Sequence, residues 1–129
     1  EALRVREQLH GPEHPRTARA LSDLGSALVF NREFPRGIEL LTLAVERMRR
    51  CEPRDESDFG LTLERLASAL HQDGRSAESL PFWNEALDTT QRALGATHSR
   101  TQRVRTRYAE VLRRSGRVEE AAALEAQGK

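Results

Sequence analysis

Seven arginines crowd the stretch from Ser99 to Arg117, namely Arg100, Arg103, Arg105, Arg107, Arg113, Arg114 and Arg117, against the single acid Glu110. On a helix, Arg103, Arg107 and Arg114 stand at i, i+4 and i+11 and share one stripe. Forked guanidinium groups in a row are suited to gripping carboxylates, because each matches two oxygens at once. An ordinary solvated helix face has the same composition. Metal ligation by His10 and His14, spaced i+4, is opposed by Gly11 and Pro12, which interrupt the helix, and by the lack of an acid or thiol partner at helical spacing. These two read as loop histidines, His98 repeats the role of His14, and His71 reads as a helix-surface residue. Cys51, followed by Glu52 and Pro53, has no histidine close in sequence and reads as a partly buried structural thiol rather than a nucleophile. Neither phosphate-cradling glycine motifs nor paired cysteines occur, so no cofactor, no metal and no catalytic residue is expected.

The elements that must carry these residues are legible in composition. Of 129 residues, 37% are hydrophobic and 32% charged, while aromatics are only 5%, which is material for amphipathic helices and poor material for strands. Basic and acidic residues nearly cancel, 21 against 20, so no global field favours nucleic acid or a membrane surface. A lone cysteine forms no intrachain disulfide, no apolar run is long enough to span a bilayer, and no signal-peptide profile is present. The expected location is the cytoplasm.

An internal repeat organises the chain. Gly11-Pro12-Glu13-His14-Pro15-Arg16-Thr17 returns as Gly95-Ala96-Thr97-His98-Ser99-Arg100-Thr101, an offset of 84 residues, and half of that offset, 42, aligns everything between. Under this period Leu28, Leu70 and Leu112 coincide, as do Leu24, Leu66 and Tyr108. Small residues coincide too: Gly25 with Ala67 and Ala109, Gly37 with Ser79 and Ala121, Ala44 with Ala86 and Gly128. Each unit predicts two helices. Leu21, Leu24 and Leu28 mark an apolar face on the first helix, as do Leu63, Leu66 and Leu70 in the next unit. Ile38, Leu41 and Val45, then Leu80, Trp83 and Leu87, do so on the second. Trp83 therefore reads as core, with Phe82 the better candidate for partial exposure. Gly74 and Gly116 suit the short joints between paired helices, and Gly11 and Gly95 open the longer ones. The aligned small residues let helix axes approach to roughly 8 to 10 Å.

Leu21-x-x-Leu24-Gly25-x-x-Leu28, followed by Gly37, Leu41 and Ala44, resembles the tetratricopeptide signature of small and large residues. The 42-residue period with Gly-Pro-Glu-His-Pro in the loop is similar to the longer variant found in kinesin light chains and many bacterial regulatory proteins. The resemblance implies an all-α, right-handed solenoid of stacked antiparallel helix hairpins over residues 1–129. Residues 1–10 would end a preceding unit, 11–52 and 53–94 would be full units, and 95–129 a truncated third, the whole being a fragment of a longer protein. Three departures stand out: Arg105 where the other units have Leu21 and Leu63, with Val104 as a substitute; Arg32 where the joint glycine belongs, so that either Asn31 or Arg32 takes the strained geometry or the joint is built differently; and Pro81 about a turn into its helix, where a distortion is expected.

The resemblance also implies that the first helix of each unit lines a concave groove. The slots transferred by alignment hold Arg19, Ser22, Asp23 and Ser26 in the first unit, Glu64, Arg65 and Ser68 in the second, and Arg103, Thr106, Arg107 and Glu110 in the third. Kinesin light chains commonly carry paired asparagines at two of these slots, which here hold Ser22-Asp23, Glu64-Arg65 and Thr106-Arg107, so their cargo preference does not transfer. The expectation is a non-enzymatic module that binds a protein or peptide segment, acidic in character, in the groove. The competing reading is a structural or sensor segment of a larger signalling protein, a kinase or an ATPase, that packs on its own domains or self-associates. Nucleic-acid binding ranks last, since apart from Tyr108 the arginine-rich unit lacks stacking aromatics.

Overall fold

In the computed structural model the described residues are 15–51 and 53–128, with the side chain of Pro15 outside the description. His10, His14 and the expected end of a preceding unit at 1–10 lie outside them. Six helices occupy the described residues, and no strand is found among them: α1 (Pro15–Phe30), α2 (Phe34–Arg50), α3 (Glu56–Gln72), α4 (Ser76–Leu94), α5 (Ser99–Arg114) and α6 (Val118–Gln127). Each packs chiefly on its neighbours in sequence, α1 on α2, α2 on α3 and so on to α6. Such an array buries its apolar stripes only by stacking.

Local chemistry explains where the helices start. Asp55 caps α3 by accepting a hydrogen bond from the Asp58 N–H at 3.0 Å, and Pro35 sits in the first turn of α2. His98, expected in a loop, is the N-cap of α5, its Nδ1 accepting from the Arg100 N–H at 3.1 Å.

The three short joints have one geometry. At each, the third residue past the helix donates its N–H back to a leucine carbonyl: Glu33 to Leu28, Arg75 to Leu70 and Arg117 to Leu112, all at 2.8 Å. This closure needs a left-handed residue at the preceding position, which is Gly74 (φ 81°) and Gly116 (φ 82°) in two joints and Arg32 (φ 64°) in the first. Arg32 thus accepts a backbone conformation that costs a side-chain-bearing residue about 1 to 2 kcal/mol. Arg32→Gly should raise the stability of the chain by about 0.5 to 1 kcal/mol, part of the relief being offset by the greater freedom of glycine when unfolded. Thermal melts of the two chains check this, and an unchanged or lower midpoint would contradict the strain.

The core runs continuously from α1 to α6. Leu21, Leu41, Leu63, Leu66, Trp83, Val104 and Leu112 are buried, and Trp83 is 2% exposed. Phe82 is half-buried, as the sequence implies. Leu24 departs from the expected apolar face, since it is 41% exposed while its counterpart Leu66 is buried. Arg105 also departs: it keeps the leucine slot itself, 3% exposed, beside an equally buried Val104. Its guanidinium is held by the side-chain oxygens of Gln102 and Gln91 at 3.0 and 3.1 Å and by the Ala96 carbonyl at 3.4 Å. α4 continues through Pro81 as one helix. Pro81 and Ala77 both face solvent, so the Ala77 carbonyl that loses its N–H donor can be hydrated there. Cys51 is buried at the end of α2, its thiol directed to the Arg47 carbonyl.

Candidate functional site

The first helices of the three hairpins, α1, α3 and α5, are joined side by side through polar side chains. Between α1 and α3, the Ser22 and Thr62 hydroxyls are hydrogen-bonded at 3.2 Å, and Arg65 Nη1 reaches Ser22 Oγ at 2.9 Å and Asp23 Oδ1 at 3.1 Å. Arg19 and Asp58 form a longer pair at 3.7 Å. Between α3 and α5, Arg100 Nη1 donates to Ser57 Oγ at 2.8 Å, and Glu64 receives Arg103 at 3.0 and 2.7 Å and Arg107 at 3.3 Å. Sequence separations across these contacts run from 39 to 43 residues, close to the repeat period, so each unit presents the same slots to the next.

Glu64 is the centre of this lacing. Its side chain is 4% exposed, whereas those of Arg103 and Arg107 are 44% and 52% exposed. The carboxylate therefore sits beneath two guanidiniums one helical turn apart. Its hydrogen bond keeps Arg103 protonated more firmly than an ordinary arginine, outweighing the partial burial that works the other way.

Above these contacts lies a trough of about 440 Å³ lined from all three hairpins. Six residues expected in the groove border it: Ser26, Glu64, Arg65, Ser68, Arg103 and Arg107. Glu110 borders a second cavity of about 190 Å³, which shares Ser68 and Arg107 with the trough and adds His71, Trp83 and Val111. The remaining expected residues border neither cavity. Ser22 is buried under the Thr62 and Arg65 contacts, Asp23 serves as the Arg65 partner, and Arg19 and Thr106 are exposed beyond the rim. The expected basic end is also less basic than sequence implies, because Arg103 and Arg107 share Glu64.

Sequence reasoning missed the apolar part of the trough. Val29, Phe30, Leu41 and Leu61 line it, and Phe30 is 88% exposed. The signal was available: Phe30 and Gln72 lie four residues beyond Ser26 and Ser68, one turn further along the same helix faces, and both line the trough. Among the described residues no group of acidic, histidine or cysteine side chains could hold a metal ion, and no helix is long and apolar enough to cross a membrane.

Stacked helical hairpins with a side-chain-lined trough define a helical-repeat scaffold. The family model for the tetratricopeptide repeat matches residues 58–128, more than half of the chain, and the chain belongs to the tetratricopeptide repeat family. Two solved structures share the fold. One is of kinesin light chain TPR-like repeats from Podosopora anserina, with 22% identity, a TM-score of 0.74, and coverage of 89% of this chain and 55% of that one. The other is BtubC (BKLC) from P. vanneervenii, with 15% identity, a TM-score of 0.75, and coverage of 98% and 51%. The chain spans about half the length of both structures. No curated protein matches it. The family and these neighbours establish a kinesin-light-chain-like tetratricopeptide solenoid. Repeats of this family are generally protein–protein interaction modules and typically non-enzymatic scaffolds.

Proposed function

We propose that the trough receives an extended or helical segment of a partner protein, whose acidic side chains meet Arg65, Arg103 and Arg107 while an apolar side chain rests on Phe30. The observation that carries this reading is the lining itself: three partly exposed guanidiniums against one buried carboxylate, around an open apolar patch. With Asp23 counted as the partner of Arg65, these groups carry a net positive charge of one, and forked donors there can engage carboxylates in pairs. This reading gives the chain no chemistry of its own and places it in the cytoplasm.

Stripping the arginines is a poor test, because it would also leave Glu64 without partners. Phe30→Ala is cleaner, since an 88% exposed side chain contributes little to folding. The probes are two dodecapeptides of alternating leucine with glutamate or with lysine. The glutamate peptide should bind, more weakly as salt rises, and Phe30→Ala should weaken it roughly three- to tenfold without moving the melting temperature. Equal binding of the lysine peptide, or binding indifferent to both salt and Phe30→Ala, would refute the assignment.

A further inference from the structure

The joint between α1 and α2 departs from the other two, and it stands at the apolar end of the trough. Arg32 donates its backbone N–H to the Val29 carbonyl at 2.9 Å, and Val29 and Phe30 both line the trough. Arg32 follows the 88% exposed Phe30 by two positions, which keeps their Cα atoms within about 7 Å.

The side chain of Arg32 is placed unlike those at the equivalent joints. There the arginine after the glycine pairs with an acid three residues on, Arg75 with Glu78 and Arg117 with Glu120. Here Glu33 holds that place and pairs with Arg36, which leaves Arg32 without an acid. Among the described residues it makes neither an ion pair nor a side-chain hydrogen bond, and its guanidinium lies over the ring of Phe34, 5.5 Å from the centroid. Phe34 is half-buried against the core, so its ring steadies one face of an exposed guanidinium whose edge donors stay open. The backbone would be better served by glycine, since φ is 64°, and a ring contact open to water offsets only part of that strain. Local strain that the fold does not need points to a task for the side chain.

We infer that Arg32 is a partner-binding residue, whose open edge receives a carboxylate of the segment held in the trough, borne beside the apolar side chain that rests on Phe30. A flat fork with free N–H donors matches the two oxygens of a carboxylate, and such charge-assisted bonds are roughly twice as strong as those to a neutral amide. A basic residue at that place in the partner would be repelled. The inference rests on the proposed trough binding and adds to it a fourth guanidinium, outside the slots that the first helices supply.

The probes are two dodecapeptides, leucine alternating with glutamate and leucine alternating with glutamine, each acetylated and closed as the N-methylamide so that every carboxylate belongs to a side chain. Arg32→Gly, the substitution that should stabilise the chain, should bind the glutamate peptide roughly three- to fivefold more weakly and with a shallower salt dependence. Whatever affinity the glutamine peptide has for the parent should be unchanged in the variant. A melting temperature that rises while affinity falls separates a binding role from a structural one. Equal affinity of parent and variant for the glutamate peptide overturns the inference, as does an equal loss for both peptides. If in either case Phe30→Ala still weakens the glutamate peptide, the trough stands and only the role of Arg32 falls. A glutamate peptide that does not bind the parent chain sinks the trough and the inference together.

Discussion

Gly37→Leu is expected to lower the unfolding free energy by about 3 kcal/mol, the upper end of what overpacking a close-packed crossing costs. α1 and α2 cross where Gly25 and Gly37 face each other. A Cβ on Gly37 would stand 2.6 Å from Val29 Cγ2, 2.9 Å from the Gly25 carbonyl oxygen and 3.2 Å from the Val29 nitrogen. Two of these three atoms are backbone, so a rotamer change at Val29 cannot relieve the clash and the helices must separate. Gly37→Ala should cost less, because alanine recovers about 1 kcal/mol of helix propensity while still needing room. Urea unfolding followed by circular dichroism distinguishes the pair. A leucine variant as stable as the parent would show that the crossing is looser than the contacts require.

The second large effect concerns Glu64. Replacing both Arg103 and Arg107 by alanine should destabilise the chain by about 3 kcal/mol, the low end for stranding a buried charge, because both arginines are half open to water. The informative step is the third substitution. Adding Glu64→Leu to the double variant should restore most of the loss, since the penalty belongs to the unpartnered carboxylate and not to the missing guanidiniums. If the triple variant is as unstable as the double, the arginine stems packing across α3 and α5 carry the effect instead. Chemical denaturation of the parent, double and triple variants decides between the two.

The fold was legible because the repeat period, the small residues and the joint glycines all describe one geometry. Gly37, Ser79 and Ala121 share one slot of the repeat and Gly25, Ala67 and Ala109 another, and all six are buried. Arg32 could be located as the joint lacking glycine because Gly74 and Gly116 fix its place, and it does take the positive φ. What sequence could not supply was pairing. Register placed Arg65, Arg103 and Arg107 on one surface, but not the reach of each guanidinium to an acid or hydroxyl about one unit away. Ser22 failed as a groove residue for that reason: its slot faces the neighbouring helix once Thr62 and Arg65 close over it. Arg105 misled differently. A charged residue in a leucine slot suggests displacement, yet its long apolar stem fills the slot and two glutamines and a carbonyl accept from its two terminal nitrogens, while the buried Nε has no acceptor among the described residues. Phe30 was overlooked because a terminal aromatic outside the apolar stripe has no assigned task in the repeat pattern.

The lacing between α1, α3 and α5 constrains how such a chain can change in length. Every rung ties residues 39 to 43 positions apart, so inserting a few residues within a helix of this lacing would slide the donors of the rungs it carries past their acceptors. Whole-unit duplication or excision keeps the rungs in step, because the incoming hairpin carries both halves of the match. Growth by copying complete modules is therefore the tolerated path, and a partial copy would arrive with its carboxylates and guanidiniums out of phase.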